Sequence, residues 1–272
     1  MSEAKSRKRV FILAAAVVAV LVLAACSDNI SNLGKFYNGR TLTLSVVKIE
    51  RAPELRYATI DPEQVIRHWR IVPSAPGLEL VLVRMKVQNH TAINAVVNVD
   101  QQSAELRDFV QGSYFPINLS ERLYQDLRNQ AQVSVRMSLG QCFDPNKMYI
   151  SQGTRVGWVN EDTVIHYVDL DGDGQNLTPI NPGDTFFNEF NTPGDVAYQC
   201  SSDDTEGQGA QVVVEADDGG KPVDERSMLF IDGSFELARN MGIDGWVIFE
   251  APEGTKFRDL RWRAGDSITI TF

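Results

Sequence analysis

The chain has 272 residues and is short of the side chains that do most enzymatic chemistry, with only three cysteines and three histidines. A site built on imidazole or thiolate therefore has few places to sit. Signature motifs are missing too: there is no Gly-x-Ser-x-Gly elbow, His-Glu-x-x-His helix, phosphate-binding glycine loop or dinucleotide fingerprint. Carboxylates are plentiful, but no spacing selects a pair for acid and base roles, so an enzyme is not expected. Positive charge is also scarce, with 26 Lys and Arg against 36 Asp and Glu. Residues 1–25 hold four of the basic residues and one acidic residue, which leaves −13 for the rest of the chain. A surface that acidic repels phosphate backbones and excludes a nucleic-acid partner. Helical periodicity is nearly absent. Only Ser120 to Gln130 carries it, with Ser120 able to cap the first turn and Leu123, Tyr124 and Leu127 at i, i+1 and i+4. That stretch predicts a short helical connector.

What is present is alternation. Leu42, Leu44, Val46 and Ile49 mark one strand; Val81, Val83, Met85 and Val87, interleaved with Leu78, Leu80, Leu82, Arg84, Lys86 and Gln88, mark another. Turn signals at Pro73 to Gly77, Asn89 to Thr91 and Gln111-Gly112 space the strands as in a β-sandwich. Hydrophobic residues at 43% and charged residues at 23% are those of a globular chain. Single cores stop growing near ~250 residues, so two domains are expected, both all-β.

The amino-terminal end is different in kind. Lys5, Arg7, Lys8 and Arg9 precede an unbroken apolar run from Val10 to Ala25, which closes in Leu23-Ala24-Ala25-Cys26. The run is shorter than the ~20 residues that span a bilayer comfortably, and its ending resembles the lipobox of bacterial lipoproteins. The resemblance implies a signal peptide over 1–25, cleavage before Cys26 and acylation of Cys26, with the mature chain held to a membrane of the cell envelope by its lipid. Residues 26–38 then serve as a tether, polar and Asn-rich at their start.

Two further stretches read as halves of one domain. Residues 39–135, with Leu80 to Asn89, Leu106-Arg107-Asp108 and Tyr114, resemble the immunoglobulin-like accessory domain of bacterial envelope lipoproteins. Residues 221–272, with Trp246 to Phe249, Leu260-Arg261-Trp262 and Ile268-Thr269-Ile270, look like the closing strands of the same domain. The second stretch alone holds too few strands to close a sandwich and needs partners from the first.

Residues 136–220 lie between these halves and carry the most specific features. Phe143-Asp144-Pro145, an alternating strand with a turn at Gly153, Val156-Gly157-Trp158-Val159-Asn160, and His166 four residues after Asp162 come first. Pro193-Gly194 and Tyr198-Gln199-Cys200 follow. Together they resemble a cupredoxin, the plastocyanin-like Greek-key sandwich. In that family two His nitrogens, one Cys thiolate and a weak axial Met or Gln hold copper, a geometry that suits both copper oxidation states and permits electron transfer. The resemblance implies ligands at His166 and Cys200, with Gln208 as the axial group. Asp203 stands where the second imidazole belongs, and a carboxylate is a harder ligand than copper prefers. The site is expected to be degenerate.

Cys142 leaves three arrangements open. With Cys26 acylated, Cys142 and Cys200 are the remaining thiols of an exported chain, which favours a disulfide. A soft-metal site of Cys142, His166 and Cys200 is the second arrangement, and a weakened copper site the third. Asp169, Asp171 and Asp173, with Gly174 at the sixth position, resemble the opening of an EF-hand calcium loop, but Ile180 stands where the bidentate Glu belongs. A solvated acidic loop or a calcium site are the two readings. The functional expectation is a lipid-anchored extracytoplasmic protein that binds copper or transfers electrons to a partner in the envelope. The alternative is a non-catalytic binding or structural module that has lost the metal and carries a disulfide.

Overall fold

The computed structural model describes residues 32–272 apart from 63, 173–174, 203–204 and 220–223. Cys26, Asp173 and Asp203 therefore lie outside the described residues. The regular structure of the described chain is almost entirely strand. In order it forms β1 (Tyr37–Asn38), β2 (Leu42–Ala52), β3 (Leu55–Ile60), β4 (Ile66–Ile71), β5 (Leu78–Asn89), β6 (Asn94–Val99), β7 (Ala104–Asp108) and β8 (Ser113–Tyr114). A single helical turn, α1 (Leu119–Arg122), is followed by β9 (Tyr124–Asp126), β10 (Gln132–Ser138), β11 (Gln141–Asp144), β12 (Lys147–Ser151), β13 (Thr154–Asn160) and β14 (His166–Asp169). Then come β15 (Thr178–Ile180), β16 (Thr185–Phe190), β17 (Gly194–Ser202), β18 (Thr205–Glu215), β19 (Gly233–Ala238), β20 (Gly242–Pro252), β21 (Phe257–Trp262) and β22 (Ile268–Thr271).

One sandwich is made from both ends of the chain. Its sheets run β1-β2-β5-β20 and β22-β21-β7-β8, with the β19-β6 pair beside them. Strand β5 shows why the alternation was legible. Val81, Val83, Met85 and Val87 face the core between the sheets, while Arg84 and Lys86 are exposed on the other face. At its start the outward face is apolar as well: Leu80 and Leu82 pack in a second cluster with Leu55, Tyr57 and Ile71. Trp262 is buried in the main core, and its indole Nε1 donates to Ala264 O at 2.7 Å, so the large ring brings no unpaired donor inside.

The inserted unit is a second sandwich. One sheet is β11-β10-β13-β16; the other is the β15-β14-β17-β18-β12 part of an eight-stranded sheet that continues through β9-β4-β3. Trp158 sits at the centre, fully buried, with its ring centroid 5.6 Å from those of Phe186 and Tyr198.

Two expectations change here. The periodic stretch from Ser120 to Gln130 is helical only at α1, whose N-cap is Asn118 rather than Ser120. Tyr124 to Asp126 is a strand because each edge finds a partner: Gln125 pairs with Trp69 of β4 on one side and with Met148 of β12 on the other. Two sheet neighbours outweigh the weak helical preference of a short segment. The start of the inserted unit also moves upstream of residue 136. β10 pairs in parallel with β13 from Gln132 onward, and Leu127 already belongs to the second core. The β3-β4 hairpin of the first segment thus adds two strands to the second unit's sheet, and the units are joined by sheet hydrogen bonds as well as by their linkers.

Candidate metal centre

Three of the proposed ligands converge near one end of the inserted sandwich. Cys142 stands on β11 in one sheet and Cys200 on β17 in the other, with Cα atoms 5.9 Å apart, and a disulfide joins them across the core. His166 begins β14, in register with Ser202, while Val168 pairs with Cys200. This register, two residues on, swings the imidazole over the bridge. Its Nδ1 lies 3.5 Å from Cys200 Sγ and 3.7 Å from Cys142 Sγ. All three side chains are buried.

The other ring nitrogen is held. His166 Nε2 is 3.0 Å from Asp162 Oδ2, a carboxylate that also accepts from the Thr163 amide at 2.6 Å. These two hydrogen bonds, the backbone one first, keep the Asp162 carboxyl below the usual carboxylate range. A charged acceptor at Nε2 places the ring proton there and turns the Nδ1 lone pair toward the sulfurs. Asn160 fixes the loop beneath: its side chain donates to Val164 O at 2.9 Å and Ile180 O at 2.8 Å and accepts from the Asp162 amide at 2.9 Å.

Gln208 has a different role from the axial ligand suggested above. It pairs with Cys200 across β17 and β18, but its Oε1 accepts from the Cys142 amide at 3.0 Å and its Nε2 donates to Gly140 O at 3.2 Å. Both ends of the amide are taken up by the β10-β11 turn. The remaining histidines are remote from the cluster. His68 Nδ1 faces Glu225 at 2.7 Å on the junction hairpin, and the His90 amide donates to Thr41 O in the first sandwich.

The chain is similar to solved cupredoxins. A purple cupredoxin from Nitrosopumilus maritimus is 22% identical over 30% of this chain and 99% of its own, with a TM-score of 0.26. A mutant of amicyanin in its Cu(I) form is 18% identical over 31% of this chain and 83% of its own, at 0.24. A Cu-containing nitrite reductase from Thermus scotoductus SA-01 is 15% identical over 66% of this chain and 55% of its own, at 0.26. No family model and no curated protein matches the chain. The donors the site itself offers are two cysteine sulfurs and one imidazole.

Those donors do not compose a blue-copper centre. Among the described residues no second imidazole stands near, and the cysteine sulfurs are joined to each other rather than free as thiolates. With the bridge open, two thiolates and one imidazole nitrogen form a soft set suited to Cu(I) or another d10 ion, and poorly suited to a hard cation. The acidic loop offers less. Asp169 is buried and accepts from the Gly172 amide at 2.9 Å, within its own turn, while Asp171 accepts from Asn176 at 2.9 Å. Among the described residues, Cys142, His166 and Cys200 are the group that converges for a metal, and the calcium reading finds no such convergence.

Proposed function

We propose that the chain is a lipid-anchored protein of the bacterial cell envelope whose cupredoxin-like unit binds copper as Cu(I), through Cys142, Cys200 and His166, when the disulfide is reduced. The observation that supports this reading is the placement of His166 Nδ1 within 3.7 Å of both sulfurs. A structural disulfide needs no imidazole facing it, and a buried imidazole whose Nδ1 faces sulfur is positioned as a ligand. Opening the bridge takes two electrons and two protons from a dithiol donor, and metal binding then displaces the thiol protons. One-electron transfer of the blue-copper kind is less well served, because the described residues supply no second imidazole. The immunoglobulin-like part and the anchor at Cys26 act in this reading as the support that holds the site outside the cytoplasm.

Anaerobic titration tests it. After reduction the folded protein takes up one equivalent of Cu(I) in competition with a chromophoric chelator, and the bridged protein takes up none. Reduced, folded protein that exposes two thiols to titration and still binds no Cu(I) establishes the second reading, a metal-free envelope module clamped by its disulfide. That reading is favoured by the deep burial of both cysteines.

A further inference from the structure

The described chain begins at a fixed point on the first sandwich. Asn32 Nδ2 donates to the carbonyl of Thr271 at 2.9 Å, and Asn32 Oδ1 accepts from Lys35 Nζ at 2.7 Å. Thr271 belongs to one row across the sheet, paired with Asp259, which pairs in turn with Arg107. Neighbouring strands are about 4.8 Å apart, so Arg107 lies about 10 Å from Thr271. Two residues beyond Arg107 the chain leaves the sheet in a turn that holds Phe109 and Val110 outward, 66% and 83% exposed.

This turn is built, not slack. Asp108 Oδ1 accepts from the amides of Val110 at 2.8 Å and Gly112 at 2.7 Å, and the Tyr114 hydroxyl donates to Oδ2 at 3.0 Å. Gln111 takes a positive φ of 71°, and a side chain at Gly112 would collide with the Asp108 carboxylate and the Tyr114 hydroxyl. Two apolar side chains are thus preorganised in water at the end of the sandwich where the tether arrives. Lys256 and Arg258 lie either side of Phe257, which pairs with Asp108 at the base of the turn, and Arg258 also bridges to Asp259 at 2.9 Å. The apolar tip matches a lipid surface better than it matches bulk solvent, and Lys256 and Arg258 at its base offset locally the repulsion that a chain of net negative charge meets at anionic lipid.

We infer that the turn at Phe109 and Val110 is a membrane-contacting element that sets the orientation of the anchored protein, with anionic phospholipid as its partner. The inference rests on the lipid-anchor reading of Cys26. From Cys26 to Asn32 the chain spans six residue steps, at most about 20 Å when fully extended, so the Asn32 end of the sandwich cannot stand far from the bilayer. The acyl chains supply the affinity; the turn supplies the tilt.

The test places an environment-sensitive dye at Val110→Cys or at Gln101→Cys, in full-length lipidated protein in phosphatidylethanolamine and phosphatidylglycerol vesicles. Gln101 lies in the turn before β7, at the far end of the same strand from Val110. The dye at residue 110 is expected to shift to shorter wavelength, to be quenched by brominated lipid, and to resist aqueous iodide several-fold better than the dye at residue 101. A third protein, carrying Phe109→Ser with the dye at residue 110, should lose most of that protection while remaining vesicle-bound. Anchored protein with equal iodide quenching at both positions overturns the inference and leaves the anchor standing. A chain without acyl groups at Cys26 overturns the anchor reading and the inference together.

Discussion

Arg70 of β4 donates through Nη1 to Glu215 Oε1 of β18 at 2.6 Å, and thereby ties a strand of the first segment to the last strand of the inserted unit. The same guanidinium lies 4.1 Å over the Tyr149 ring and bridges to Glu54 at 2.7 Å. A buried cation with two carboxylates and an aromatic face is costly to remove, because the partners stay behind without it. Arg70→Ala should cost about 2 to 3 kcal/mol. In urea, the wild type should unfold in one cooperative transition, and the variant should separate into two. A single transition at an unchanged midpoint in the variant would show that the junction is not energetically important.

The disulfide closes a loop with a sequence separation of 58 residues. Loop-closure entropy for that length corresponds to about 4 kcal/mol of stabilisation through the unfolded state. The paired Cys142→Ala and Cys200→Ala variant should therefore have a clearly lower denaturation midpoint. Intrinsic tryptophan fluorescence, with Trp158 in the same core as both cysteines, follows it.

Asp162 is expected to matter for metal and little for the fold. Asp162→Asn removes the charged acceptor at His166 Nε2 while keeping a side chain of the same size. Loss of such a partner typically lowers metal affinity by about 10- to 100-fold. Competition with a Cu(I) chelator should show that loss in the reduced protein, with the thermal midpoint of the bridged protein changed by only a few degrees. An unchanged Cu(I) affinity would show that the Asp162 carboxylate does not support His166 as a ligand.

Acid should weaken the junction. Burial raises the carboxyls of Asp126 and Glu250, yet hydrogen bonds from Arg128 to Asp126, and from Ser74 and Arg122 to Glu250, outweigh it and hold both groups below their ordinary range. Folded-state values below the unfolded ones mean stability that is present above the ordinary carboxylate range and lost as pH falls through it toward the folded-state values. Unfolding free energy should therefore decline from about pH 5 downward, and Glu250→Gln should make that decline shallower. A flat profile down to about pH 3 would contradict these assignments.

Much of this was legible in the sequence because strands with one buried face write a period of two, as β5 does. The pairing of Cys142 with Cys200 was one of three open arrangements, since counting thiols does not say where the sheets bring them. Other features were hidden for physical reasons. The Leu123, Tyr124 and Leu127 spacing suits a helix, but hydrogen-bonding edges on both sides claim Tyr124 to Asp126 for a strand. The β3-β4 hairpin escapes notice because Arg56, Arg67 and Arg70 interrupt its apolar pattern, their partners being carboxylates. Asp162 carried a signal, its place four residues before His166, which registers as a motif before it registers as a hydrogen bond.

Among the interior strands of the eight-stranded sheet β9 is the shortest, three residues that join β4 to β12. Sheet hydrogen bonds on both edges of Tyr124 to Asp126 therefore couple the two units through their narrowest interior link. In an anchored chain the sulfur–imidazole cluster would then move with the first sandwich and not on a separate linker of its own.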